Sequence, residues 1–372
     1  MVALDFRAVY ALFPLLSFLH VLVSADAIND LEAKGRPALY AALANSTTCT
    51  KEKLQVRREW GDLPVSDKLA YIAAVKCLIN NRPSQYDRNQ YPGARSRFDD
   101  FIVVHMKQSQ YIHGTGSFLT WHRYFTAAYE HALRKECHYN GTQPYWHWGR
   151  WAESPQTSPL FDGSPTSIGG QGEHVPHNST LNITGEGGGC IASGPFKDMK
   201  VNLGPVSITQ TPAPARNPRP DGFGYNPRCV KRDITNILTM RYATTDMIYS
   251  LMTNCMDIGS FQTKMQGPEG VHGAGHFTIA GDPGGDFYTS PGDVGFWFHH
   301  SMIDRVYTGW QGLDFAHRQQ VIAGVTRMND PNSTLSTLDD IIDLEAVNIE
   351  GKAYKIRELV STVQGPFCYT YE

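Results

Sequence analysis

The residues of this chain best suited to chemistry are histidines. His105, His113 and His122 lie within VVHMKQSQYIHGTGSFLTWHR; His272 and His276 lie in VHGAGH, followed by the adjacent pair His299-His300 in FWFHH. Neutral imidazole binds copper, zinc or iron, and three such ligands per metal leave a position open for reaction. His272 and His276 are four residues apart, so on a helix both rings leave one face and can grip one ion. Asp304 follows His300 by the same interval, placed to accept a hydrogen bond from a ligand ring and fix its orientation. Phe296, one turn before His300, would shield the metal from bulk water. His299 is rotated about 100° from His300 on a helix, so only one of the two is the primary ligand. A structural zinc site would usually recruit cysteine, and none is placed to help. The zinc protease signature HExxH is excluded, because the segment reads HGAGH.

These side chains need elements to hold them. Ser66-Asp67 is positioned to cap the helical segment LAYIAAVKCLI. A second helix is predicted over 95–108, and a third over 116–137, where Phe118, Phe125, Tyr129 and Leu133 recur every three or four positions. Helical patterning resumes at Ile234 (ITNILTMRYATTDMIYSLMT) and at Phe296 (FWFHHSMIDRVYTGWQ). Between the third helix and Ile234, residues 152–228 are dominated by Gly, Pro, Ser and Asn, and read as a long ordered surface excursion. The complementary histidine motifs on either side argue that both halves meet around one site. Without internal repeats or sustained alternation, the fold is predicted to be mainly α.

The chain has 372 residues and a formal net charge of -3, with no basic run of the kind that binds nucleic acid. Arg7, the apolar stretch 8–23 and the small residues Ala25-Asp26-Ala27 read as a secretory leader cleaved near Ala27. The stretch is shorter than the roughly 20 residues of a spanning helix and contains Pro14 and His20. We therefore expect a signal peptide at 1–27, a single domain over 28–372, and an extracellular product free of the membrane. Sequons at Asn45, Asn140, Asn178, Asn182 and Asn332 agree with secretion. Seven cysteines without C-x-x-C spacing suggest up to three disulfides and one thiol left over, in a pairing the spacing leaves open.

IHGTGSFLTWHRYFTAAYEHAL, QPYWHW and GFWFHHSMIDRVYTGWQ resemble the two copper motifs of the tyrosinase and catechol oxidase family, most of all its short secreted fungal members without a C-terminal shielding domain. The resemblance runs from about Cys49 to Gly309. It implies a four-helix bundle around a type-3 pair of copper ions, with dioxygen as co-substrate and three histidines per ion. By motif position His105, His113 and His122 hold the first copper. His272, His276 and His300 hold the second, because the family uses the later histidine of its pair. Tyr111 stands where many members carry a cysteine bonded to the second ligand, Thr120 replaces a proline, and His147 replaces an aspartate in a structural or supporting role. Gly273 follows His272, where members that hydroxylate monophenols often have asparagine working with a nearby glutamate; Gln266 or Glu269 stands near the glutamate position. A glycine offers no side-chain donor or acceptor. The resemblance thus implies oxidation of o-diphenols to o-quinones with weak monophenol hydroxylation, and no side-chain general base is assigned. The runner-up is oxidation of o-aminophenols at the same ligands, and beyond that reversible oxygen carriage without catalysis. Val294 is a candidate pocket-wall residue. His131, His138 and His317 read as surface residues, His174 and His177 as part of the excursion, and Trp121, Trp146, Trp148 and Trp151 as packing.

Overall fold

A computed structural model describes residues 27–372, so the expected leader lies outside the described residues except for its last position, Ala27. Helix α1 (Ala27–Ala44), not among the helices expected above, runs beside the last long helix. Helix α2 (Val65–Asn80) starts directly after Pro64, so Ser66 and Asp67 lie inside its first turn and do not cap it. Helix α3 (Arg97–Ile112) is started by a capping box: Ser96 Oγ accepts from Asp99 N while the Asp99 carboxylate accepts from Ser96 N. Helix α4 (Phe118–Cys137) ends on His138 in the left-handed region at φ 57°. The run from Ile234 is two helices, α5 (Ile237–Tyr242) and α6 (Thr245–Asn254), because Thr244 turns out of the helix and caps the second through its side chain. Helices α7 (Ile258–Gln266), α8 (Val271–Ile279) and α9 (Gly295–Leu313) complete the helical frame.

Four helices, α3, α4, α8 and α9, surround the histidines. Aromatic packing binds three of them: Trp297 of α9 stacks on Tyr129 of α4 at 3.7 Å, and Phe101 of α3 meets both rings edge-on. Helix α1 approaches α9 so closely that a Cβ at Gly35 would stand 2.6 Å from Gly312 Cα, which only a glycine pair permits.

The excursion is more than a surface feature. Leu160, Phe161, Ile168, Phe196 and Leu203 are buried in the main core, covering apolar helix surface that would otherwise face water. Its backbone is held by short strand pairs, such as Gly172–His174 with Gly188–Ile191, and by a disulfide between Cys190 and Cys229. Two further disulfides join Cys77 to Cys137 and Cys49 to Cys368; Cys255 is the buried free thiol. The C-terminal strand Tyr369–Tyr371 pairs in parallel with Gln55–Arg57, bringing Arg57 against Glu130 of α4 and Tyr369 against Asp304 of α9. Among the described residues, no helix is long and apolar enough to cross a membrane.

Candidate metal centre

The first histidine group is built on α3 and α4. His105 sits in the middle of α3, His113 caps its C-terminus and His122 lies one turn into α4. Each ring donates Nδ1–H to a backbone carbonyl: His105 to Tyr288 (2.8 Å), His113 to Ser109 (2.9 Å) and His122 to Phe118 (2.8 Å). These bonds select the tautomer and leave Nε2 with its lone pair. His105 Nε2 and His122 Nε2 are buried without any hydrogen-bond partner, an expensive state unless a cation supplies one. One ligand nitrogen from each of the three residues lies within 4.8 Å of the others.

Helices α8 and α9 bring the second group together. Ligand nitrogens of His272, His276, His299 and His300 fall within the same 4.8 Å limit. His272 Nε2 is buried and unpartnered, and His276 Nε2 and His300 Nε2 are 3.1 Å apart. The adjacent histidines of α9 have different surroundings. His300 stacks on His122 of the other group at 4.3 Å, so it lies between the two groups. His299 packs behind His272, against Trp148 and over Gly275, where a Cβ would come 2.2 Å from its ring. Phe296 lies beneath the cluster, 4.1 Å from His300 and 5.5 Å from His105, and is itself buried.

Burial, which penalises the charged form, pushes all seven histidines down: His113 to about 4, His276 to about 3, and the other five well below the usual value. Neutral imidazoles with free lone pairs are the form metal binding requires. This donor set, nitrogen only and in two facing groups, fits a pair of copper ions.

Above the histidines opens a cavity of about 510 Å³. Gly273 and Gln266 line it. A Cβ on Gly273 would meet nothing within 4 Å, and Gln266 Oε1 accepts from Gly114 N at 2.8 Å. Glu269 is exposed and is absent from the cavity wall. Two sequence expectations fail here. Val294 is buried at the start of α9 and does not line the cavity. Asp304 bonds to no histidine. Its Oδ1 accepts from Arg123 Nε (2.5 Å), and its Oδ2 from the hydroxyls of Tyr369 (2.7 Å) and Tyr371 (2.6 Å) and from Arg57 Nη1 (3.5 Å). Two buried guanidiniums need a counter-charge, and they claim the carboxylate before a neutral imidazole can. His147 is structural, its Nδ1 accepting from Arg150 N in a turn of Trp148–Trp151.

The wall residues Leu181, Ile183, Leu238, Phe287 and Met328 were not identified from sequence. They come from separate loops and the short helix α5, and carry no periodic signal. The exposed Leu181 in a polar loop is the one cue that could have been used.

Residues 95–313 match the family description "Common central domain of tyrosinase". The chain is 45% identical over 311 residues to the "Tyrosinase-like protein orsC" of Emericella nidulans, covering 78% of this chain and 83% of the relative. It is 34% identical over 364 residues to the "N-acetyl-6-hydroxytryptophan oxidase ivoB" of the same organism, covering 90% and 97%. A solved structure of polyphenol oxidase from Thermothelomyces thermophila, in a glycine-to-asparagine variant, superposes with a TM-score of 0.86 at 41% identity. It covers 93% of this chain and 97% of that one.

Proposed function

Because the chain belongs to the tyrosinase family of type-3 copper oxidases, which act on phenolic substrates with dioxygen, we propose that it oxidises o-diphenols to o-quinones. His105, His113 and His122 hold one copper; His272, His276 and His300 hold the other. The observation that supports this most is the set of buried, neutral imidazoles converging from α3, α4, α8 and α9, in which Nε2 of His105, His122 and His272 has no protein partner. A copper pair held there would supply the redox chemistry, the transfer of two electrons from the diphenol toward dioxygen.

The protein's own contribution is geometry and exclusion of water. The carbonyls of Tyr288, Ser109 and Phe118 lock three rings in the tautomer that exposes Nε2. Phe296 closes the floor, while Phe287, 4.6 Å from His113, and Phe118, 4.8 Å from His272, wall the sides. No side chain is positioned as a general base. Asp286 is the one carboxylate on the cavity wall, and its oxygens are taken by the backbone N–H groups of Val206, Ser207, Tyr288 and Thr289. With Gly273 bare and Gln266 an amide, monophenol hydroxylation is the weaker activity.

A second reading, oxidation of o-aminophenols, uses the same ligands. One relative is named for oxidising N-acetyl-6-hydroxytryptophan, a phenol whose ring nitrogen lies meta to the hydroxyl, which extends the family to nitrogen-bearing phenols without supplying the ortho pattern. The mature protein is a single dicopper domain over 28–372 that is secreted, in keeping with its three disulfides. Oxygen uptake by the copper-loaded chain, offered catechol, an o-aminophenol and a monophenol at matched concentration, tests the assignment. Fast uptake with catechol alone supports it, preference for the aminophenol replaces it by the second reading, and fast uptake with the monophenol overturns the weak-hydroxylase assignment.

A further inference from the structure

The chamber over the histidines is larger than a bare catechol requires. Its volume of about 510 Å³ lies in the range, roughly 300–1,000 Å³, that encloses drug-sized ligands. Its walls are also without usable charge. No Lys, Arg or Glu lines it, and Asp286 has its lone pairs spent on four backbone N–H groups. Apart from the histidines, the polar side chains left are neutral, the Gln266 amide and the Ser290 hydroxyl, while Leu181, Ile183, Leu238 and Met328 present apolar surface. Leu181 is 41% exposed, an aliphatic side chain at the rim that the protein leaves partly uncovered.

This wall is held in place before any ligand arrives. The loop carrying Leu181 and Ile183 is gathered onto Asp233, which accepts from Gly185 N (2.8 Å) and Gly187 N (3.1 Å) and pairs with His177 Nε2 (2.7 Å). Its tip is stitched to residues 209–211 through Thr180 N to Thr209 O and the strand pair Asn178–Ser179 with Gln210–Thr211. A wall that is already ordered selects ligands without first losing conformational entropy.

We infer that the substrate is an electrically neutral o-diphenol bearing a bulky apolar substituent, and that Leu181, Ile183 and Met328 select it; this rests on the o-diphenol reading above. A phenolic amino acid brings an ammonium and a carboxylate to a surface that offers neither a partner, and buried charge without a partner is disfavoured. An alkyl or aryl substituent gains burial instead. At about 0.8 kcal/mol per buried methylene, each added carbon tightens binding roughly fourfold.

The test uses the copper-loaded chain with 4-methyl-, 4-propyl- and 4-butylcatechol, and with catechols carrying a 4-carboxyethyl or 4-aminoethyl group. Calorimetric titration with 4-alkylresorcinols, whose meta hydroxyls cannot yield an o-quinone, reads binding without turnover. KM and Kd are expected to fall roughly fourfold per methylene, with the charged catechols at least tenfold weaker than the butyl compound. Leu181→Ala combined with Ile183→Ala should flatten the dependence to under twofold per methylene. Ile183→Arg should improve KM for the carboxyethyl compound at least fivefold, with an unchanged Tm as the control for folding. Equal KM for neutral and charged compounds of matched length, or no dependence on chain length, would overturn the inference. If no catechol is oxidised while resorcinols still bind in proportion to chain length, the o-diphenol reading falls and the apolar selection stands.

Discussion

Replacing Asp304 by asparagine separates two roles open to one carboxylate, holding the fold and orienting a histidine. In the structure it serves the fold: it is 2% exposed and neutralises Arg123 and Arg57, with the hydroxyls of Tyr369 and Tyr371 on its second oxygen. Burial pushes its pKa up, but Arg123 and Arg57 more than offset this and hold it below the usual range. In Asp304→Asn the shape is kept and the charge lost. Glu130 still faces Arg57, but the buried Arg123 keeps only neutral acceptors on Val360, Thr308 and Gln311. Breaking a buried pair from one side costs about 3–5 kcal/mol. An unfolding entropy of roughly 2.1 cal/mol/K per residue over the 346 described residues is about 0.7 kcal/mol/K, so Tm should fall by about 4–7 °C. Because the folded pKa is depressed, the contribution is present above the unfolded value of about 3.9 and is lost as pH falls through the folded value. The gap between wild type and variant should therefore close in strong acid. Scanning calorimetry of the metal-free chain reads the shift, and copper analysis of the loaded chain should still find two ions. A fall in Tm of less than 1 °C would refute the network; lost copper at unchanged Tm would show that the carboxylate orients His300 after all.

Other perturbations reach the remaining parts of the molecule. His177 donates to two acceptors at once, Val175 O and Asp233 Oδ2, which requires the imidazolium. Burial and Lys231 lower its pKa, but the bonds to Asp233 and Val175 raise it above the ordinary value on balance. The stabilisation is thus complete below about pH 6.5 and lost as pH rises through the folded pKa. The Tm difference between wild type and His177→Gln should be largest at pH 5.5 and vanish in alkali; a difference independent of pH would count against the ion pair. Gly273→Asn adds a side chain where a Cβ meets nothing within 4 Å, so Tm should stay within about 1 °C. Its ratio of monophenol to diphenol turnover should rise, and an unchanged ratio would show that the bare glycine is not the restriction. Gly275→Ala drives a methyl into the His299 ring, costing about 1–3 kcal/mol. Copper bound by the second group should weaken with it, and full copper content at wild-type Tm would contradict this packing. All five sequon asparagines are exposed, so chain secreted from a eukaryotic host should lose mass on enzymatic deglycosylation. Unglycosylated chain retained in the cell would argue against secretion.

Local chemistry was legible without the fold. The i,i+4 spacing of His272 and His276 and the run of helical periodicity through His122 are short-range properties, set by 3.6 residues per turn. The place of Phe296 under the rings followed from the same arithmetic, and so did the existence of α3, α4 and α9. The three disulfides and the spare thiol were a matter of counting, though their pairing was not. Helix α1 was overlooked although Ile28, Leu31, Leu39 and Leu43 recur at helical spacing; what lies beyond the sequence is where it docks, set by Gly35 meeting Gly312 far along the chain. Asp304 was placed correctly on the helix face of His300 and still assigned the wrong partner. Periodicity fixes a direction, while Arg57 and Arg123, arriving from elsewhere in the chain, decide which charge it meets. Val294 failed for the same reason, since nearness in sequence to a ligand says nothing about which side of the cluster remains open. The cavity wall shows this most fully. The sequence by itself determined the histidines and their metal chemistry through local spacing; which loops close over them, and hence the shape and neutrality of the chamber, only the tertiary placement of Leu181, Ile183 and Met328 around the cavity decided.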